Sequence, residues 1–140
     1  HQGQCRGCRL RDPRCDVPQA ARRYDPPDKD HVVPKAALSA ASIRRAGLTP
    51  FQDQLRQGLE ELPNLCLLPA SDNRGPKGRQ LPGAWLASVA LNPDLGAAER
   101  ARLIRELDLQ HTPDDVKDVR AFWHRRRIKM KERLRRVLTT

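Results

Sequence analysis

Aromatic side chains are scarce in this chain, with two Trp, two Phe and one Tyr among 140 residues. A protein that holds single-stranded nucleic acid by stacking bases needs more rings than that, so stacking is not expected as a main binding mode. No window approaches the roughly 20 consecutive apolar residues that cross a bilayer, and no charged segment followed by an apolar stretch and a cleavage site marks a leader. A soluble chain without a membrane span is expected. Internal repeats and low-complexity tracts are absent as well. Negative charge is in the minority, 17 Asp and Glu against 27 Lys and Arg, for a net charge of +10. A field of that sign concentrates polyanions such as nucleic acid or anionic lipid at the surface. The length suffices for one core and hardly for two, so a single domain is expected. The chain begins HQGQC without an initiator Met, as a processed or excised segment would.

Cysteine is present, but its pattern is incomplete. Cys5-x-x-Cys8 is half of a zinc knuckle, and the second close pair is missing because Cys15 and Cys66 stand alone. Three readings stand for Cys5, Cys8 and Cys15: ligands of a structural zinc, partners in a disulfide, or free thiols. Cys66, inside NLCLLP, reads as a small apolar residue of a buried strand.

Composition shifts mark the organisation. Residues 1–27 are rich in Arg, Pro, Gly and Cys without a hydrophobic period, which predicts an irregular arm. The remainder, 28–140, reads as the folded domain. DHVVPK is a short β-like run stopped by Pro34. The Ala-rich segment from Ala36 has helix-forming composition and stops at Gly47. Thr49-Pro50 supplies a cap and first-turn proline for a second helix, with Phe51, Leu55, Leu59 and Leu62 on one face. NLCLLP follows as a strand and ASDNRGPKGRQLPG as a loop. Two helices come next, separated by NPD, the second with an apolar stripe at Leu95, Ala98, Leu103 and Leu107. The last helix is announced by Thr112-Pro113-Asp114-Asp115 and should run over about 113–138. Its apolar stripe is Val116, Val119, Trp123, Met130, Leu134 and Val137. The other faces carry Arg120, Arg125, Arg126, Arg127, Lys129, Lys131, Arg133, Arg135 and Arg136, opposed by Glu132 alone.

Hydrolysing a phosphodiester with one divalent cation takes a base to activate water, a cation at the scissile phosphate, and hard oxygen ligands that leave coordination sites free. Asp30 and His31 are adjacent and offer a ligand and a base, although neighbours on a strand point to opposite faces unless its end is bent. Pro34 is a cause for such a bend. Asn73, in the loop after the second strand, offers a further hard oxygen. An isolated Asp-His pair is an ordinary solvated turn, as is Asn64 or Ser71-Asp72-Asn73 taken alone. The conjunction carries the signal. His111 and His124 have no such context, and His1 has only the chain end.

The combination DHVVP, then Asn64-Leu65, then Asn73 nine positions after Asn64, then Lys77, resembles the His-Asn-His (HNH, or ββα-metal) nuclease family over residues 28–79. The resemblance implies His31 as general base, Asp30 and Asn73 as metal ligands, and Asn64 as the side chain that ties the β-hairpin loop in place. It implies a short β-hairpin in a ββα-metal-like core; together with the surrounding helices and the long basic C-terminal helix read above, an α+β, mostly helical fold is expected. Gly75, Pro76 and Gly78 stand where that unit's helix would begin, so either the helix starts late or a loop replaces it. The implied activity is metal-dependent hydrolysis of DNA, with RNA offering the same phosphodiester. Mg2+ is the expected ion, and Mn2+, Ni2+ or Zn2+ would fit the same ligands. Arg74, Lys77 and Arg79 are expected to hold the reacting phosphate, and Arg125, Arg127, Lys131 and Arg135 to capture the backbone of the substrate.

An Arg/Pro/Cys arm ahead of a small nuclease is also similar to the toxic C-terminal tips of polymorphic bacterial effectors. That implies delivery into a target cell, action in its cytoplasm and a cognate immunity protein; the other setting is a cytoplasmic phage, mobile-element or repair nuclease. The contrasting class is a non-catalytic nucleic-acid-binding module with a zinc-stabilised N-terminal arm.

Overall fold

The computed structural model describes residues 27–69, 77–94 and 96–140. The arm with Cys5, Cys8 and Cys15, the loop with Asn73 and Arg74, and Leu95 lie outside the described residues.

Two strands, β1 (Pro27–His31) and β2 (Leu65–Pro69), pair antiparallel from Pro27 opposite Pro69 to His31 opposite Leu65. A proline at each strand's outer end cannot donate to the ladder, which limits its length. Alternation is visible on β2, where Leu68 is buried while Leu67 is 62% exposed. The two strands are not a tight hairpin, as the resemblance would have it. Residues 32–64 intervene and hold two helices, so the pair is closed by a helical excursion instead of a turn.

That excursion begins where β1 ends. Val32, Val33 and Pro34 are all buried, so the chain turns inward directly after His31. The Ala-rich segment is not one helix from Ala36. A 3-10 turn, Lys35–Leu38, is followed by α1 (Ala40–Arg45), because Ser39 is extended and its side chain accepts from the Ser42 N–H at 3.1 Å. Gly47, at φ +72°, closes α1: the Gly47 N–H reaches the Arg44 carbonyl and the Leu48 N–H the Ile43 carbonyl. α2 (Gln52–Gly58) follows a 3-10 turn at Thr49–Phe51 and buries Leu55. Leu62, expected on the same face, is 70% exposed because the helix has already given way to a turn.

After β2, helix α3 (Pro82–Ala90) buries Trp85 and Leu86, and α4 (Gly96–Leu107) packs beside it and buries Leu103. Ala98 of the expected stripe faces solvent. The C-terminal helix α5 (Val119–Thr139) follows a 3-10 turn capped by Asp115, whose carboxylate accepts from the Lys117 N–H at 2.9 Å. Val119, Phe122 and Trp123 reach the core. Farther along, the stripe is not covered: Leu134 is 58% and Val137 67% exposed. Among the described residues the result is a mostly helical α+β arrangement with one two-stranded sheet, and no helix is long and apolar enough to cross a membrane.

Candidate functional site

The site is organised by Asn64, which is fully buried at the end of a 3-10 turn, Leu62–Asn64, that leads into β2. Its Oδ1 accepts from the Val33 N–H at 2.8 Å and from the Trp123 indole N–H at 2.9 Å. Its Nδ2 donates to the carbonyls of Val33 at 3.1 Å and Leu59 at 3.0 Å. The backbone carbonyl of Asn64 takes the Val32 N–H at 2.7 Å. One amide thus uses two acceptor and two donor positions, its whole capacity. It joins the segment after β1, the end of α2, the start of β2 and α5.

Asp30 and His31 sit at the end of β1 that this clamp fixes. Asp30 is 6% exposed and shares a register position with Cys66. Its Oδ2 lies 2.7 Å from the Lys77 ammonium in an ion pair that lacks hydrogen-bond geometry, so that oxygen has no directed donor. The same ammonium donates to the His31 carbonyl at 2.5 Å and lies 5.9 Å from the centre of the Trp85 ring. Lys77, expected at the reacting phosphate, is itself 2% exposed. Here it neutralises Asp30, because a buried carboxylate needs a compensating charge. Burial pushes the Cys66 thiol up to about 11, and the Asp30 charge adds to the effect.

The His31 ring points elsewhere. Its Nε2 lies 3.2 Å from Oε1 of Glu60, and Lys35 Nζ approaches that same oxygen at 2.8 Å. Lys35 and then His31 hold the Glu60 carboxyl down at about 2. The ring and the carboxylate thus have different partners. The described structure places His31 with Glu60, and Asp30 with Lys77. Among the described residues no three His, Cys, Asp or Glu side chains gather as a cation site. At the Asp30 carboxylate a divalent ion would compete with the Lys77 ammonium, 2.7 Å from Oδ2.

Arg79 is exposed close behind Lys77. On α5, Arg125, Arg127, Lys131 and Arg135 are exposed. Arg125 donates to the His111 carbonyl at 3.3 Å, and Arg127 lies 3.3 Å from Glu61. Three other cations of this helix have structural partners instead. Arg126, read as part of the cationic surface, is 5% exposed and donates to the carbonyls of Leu107 at 3.1 Å, Pro63 at 2.7 Å and Leu65 at 2.9 Å. Burial pushes its pKa below the usual guanidinium value. Arg120 stacks 3.7 Å over the Phe51 ring. Arg133 bridges Asp108 at 2.8 Å and the Arg105 and Glu106 carbonyls. A groove of about 810 Å³ runs from Glu60 past Leu62 and Cys66 to Met130 and Leu134 of α5.

Sequence reasoning missed Glu60, the buried role of Arg126 and the Trp123 contact. An exposed Glu in a Glu-Glu pair carries no signal. Trp123 did carry one, since a buried indole N–H requires an acceptor. No protein-family model, curated protein or solved structure matches this chain.

Proposed function

We propose that this chain is a metal-dependent endonuclease in which His31 is the general base, its ββα-metal-like core formed by β1, β2 and the segment after them. The observation that carries this reading is the Asn64 clamp, which anchors both backbone sides of Val33, two residues beyond His31. A base needs a fixed position more than a strong affinity, because a displacement of about 1 Å can cost a factor of roughly 10² in rate. The buried clamp also agrees with the part that the resemblance gives Asn64.

Asp30 would hold a divalent cation, with Asn73 as the second hard-oxygen ligand, and the ion would supply charge stabilisation at the phosphorus and the leaving 3′-oxygen. Mg2+ suits such donors. His31 would take a proton from the attacking water. Arg79 and Arg74 are left as the side chains for the phosphate, while Lys77 pairs with Asp30. Arg125, Arg127, Lys131 and Arg135 would capture the backbone of DNA without reading its sequence. As a delivered toxin the chain would meet an acidic immunity protein, for which the cationic α5 is a complementary surface.

The pairing of Lys77 with Asp30 favours a second reading, a nucleic-acid-binding module without catalysis, because an internal cation already occupies the carboxylate. Incubating supercoiled plasmid with Mg2+ or with EDTA separates the two. Nicked and linear products that require Mg2+ support the endonuclease. Retarded but intact plasmid in both conditions supports the binding module.

A further inference from the structure

We propose that Glu60 is a positioning residue for His31, accepting a hydrogen bond from Nε2–H and thereby leaving the imidazole lone pair on Nδ1 as the site that takes the proton. This inference rests on the reading of His31 as general base and extends it to a residue outside the motif.

The fold brings the two groups together by one device. Asn64 Nδ2 donates to the Leu59 carbonyl at 3.0 Å, one residue before Glu60, and to the Val33 carbonyl at 3.1 Å, two residues after His31. Leu59 is also buried, so the backbone under Glu60 is held by packing as well as by that bond. The Glu60 N–H returns to the Gln57 carbonyl at 3.2 Å. The amide that fixes the base therefore fixes its carboxylate partner too. Lys35, four residues after His31, pairs with the same Glu60 oxygen at 2.8 Å.

The chemistry then selects the nitrogen. An ionised carboxylate only accepts, and a neutral imidazole has one N–H and one lone pair. The nitrogen facing Glu60 must carry the hydrogen, so the opposite nitrogen is the basic one. Glu60 is not a base in its own right, because Lys35 and His31 hold its carboxyl at about 2. Half of its side chain is exposed, so its contribution is orientation, since a pair in contact with water adds little stability.

The test uses the whole chain with Glu60→Ala and Glu60→Gln, a duplex oligonucleotide at saturating Mg2+, and ¹⁵N NMR of the His31 ring at a pH where it is neutral. Glu60→Ala is expected to lower kcat about 10-fold or more, within the roughly 10²- to 10⁴-fold that a positioned base contributes, while KM and melting stay unchanged. Glu60→Gln keeps an oxygen acceptor and is expected to recover most of kcat. The ring shifts should report a single Nε2–H tautomer in the parent and a tautomer mixture in Glu60→Ala. Identical ring shifts in parent and Glu60→Ala overturn the proposal, whether or not DNA is cut. Full kcat in Glu60→Ala, in a chain that His31→Ala inactivates, also overturns it. Absence of cleavage by the parent removes the endonuclease reading and leaves the ring shifts to decide the orientation.

Discussion

The indole N–H of Trp123 donates to Oδ1 of Asn64 at 2.9 Å, joining the basic C-terminal helix to the turn before β2 across 59 positions. The helix is thereby part of the site's support, and its first turns answer to packing before they answer to any substrate. Trp123→Phe keeps most of the ring and removes the donor, which should lower stability by about 1 kcal/mol. Asn64→Ala leaves Val33, Leu59 and Trp123 groups unpaired in the interior and should cost about 3 kcal/mol or more. Urea denaturation of both single variants and the double variant gives the coupling: the two losses should be less than additive, by nearly the Trp123→Phe loss.

Close approach of the same ring sets a second expectation. A Cβ on Gly58 would lie 2.4 Å from the Trp123 ring, which is itself buried. Gly58→Ala should destabilise by about 1 to 3 kcal/mol despite the better helix propensity of Ala. A thermal melt at or above the parent's would show that the ring yields.

Lys77 and Asp30 form a buried pair, at 2% and 8% side-chain exposure. Removing only the cation with Lys77→Met should cost about 3 to 5 kcal/mol, because a carboxylate remains without compensation. Adding Asp30→Leu to that variant should recover most of the loss, and chemical denaturation of the three proteins measures it. Equal stability of parent and Lys77→Met would mean that the carboxylate is compensated elsewhere.

The cations of α5 should divide into two groups. Replacing Arg125, Arg127, Lys131 and Arg135 with Gln is expected to leave melting nearly unchanged and to flatten the salt dependence of DNA binding, by about 0.9 in the log–log slope for every phosphate no longer neutralised. Arg126→Ala should instead lower stability by about 2 to 4 kcal/mol, since the Pro63, Leu65 and Leu107 carbonyls lose their donor. Denaturation and binding titrations at several salt concentrations check both.

Cys66 should be slow to alkylate at pH 8, because burial holds its thiol up at about 11 against an ordinary value of 9.0. The sign for stability follows from proton uptake. Between those two values the folded chain keeps the proton that the unfolded chain releases, so stability falls as pH rises through that window. Timed iodoacetamide labelling with Cys5, Cys8 and Cys15 changed to Ser gives the first result, and denaturation at pH 8 and 10 the second.

Much of the local structure was legible where a residue has one dominant physical use. Gly47 ends α1 because its positive φ suits a helix stop, and the apolar NLCLLP run does form β2. The first strand was expected in DHVVPK but lies earlier, over the polar Pro27–His31, with Val32 and Val33 beyond its end; the helical excursion between the strands was not legible, since only tertiary packing decides whether α1 and α2 lie inside or beside the pair. Ser39 splits the Ala-rich segment because its hydroxyl competes for the backbone more strongly than composition suggests. Charge was the least legible property. Lys77 and Arg126 are buried through partners far away in the chain, Asp30 and the carbonyls of residues 63, 65 and 107, and no local pattern announces such partners. Of the candidate site, Asp30, His31 and Asn64 were singled out through the resemblance; Glu60 was not, because its meaning comes from the Asn64 amide that places it beside His31.

The central claim, that His31 at the clamped end of β1 is the base of a metal-dependent endonuclease, is tested most directly by plasmid cleavage in Mg2+ with parent and His31→Ala proteins of equal melting temperature. The account predicts nicked and linear products from the parent, none in EDTA, and a loss of about 10²- to 10⁴-fold in His31→Ala. Cleavage at the parental rate by His31→Ala would contradict it.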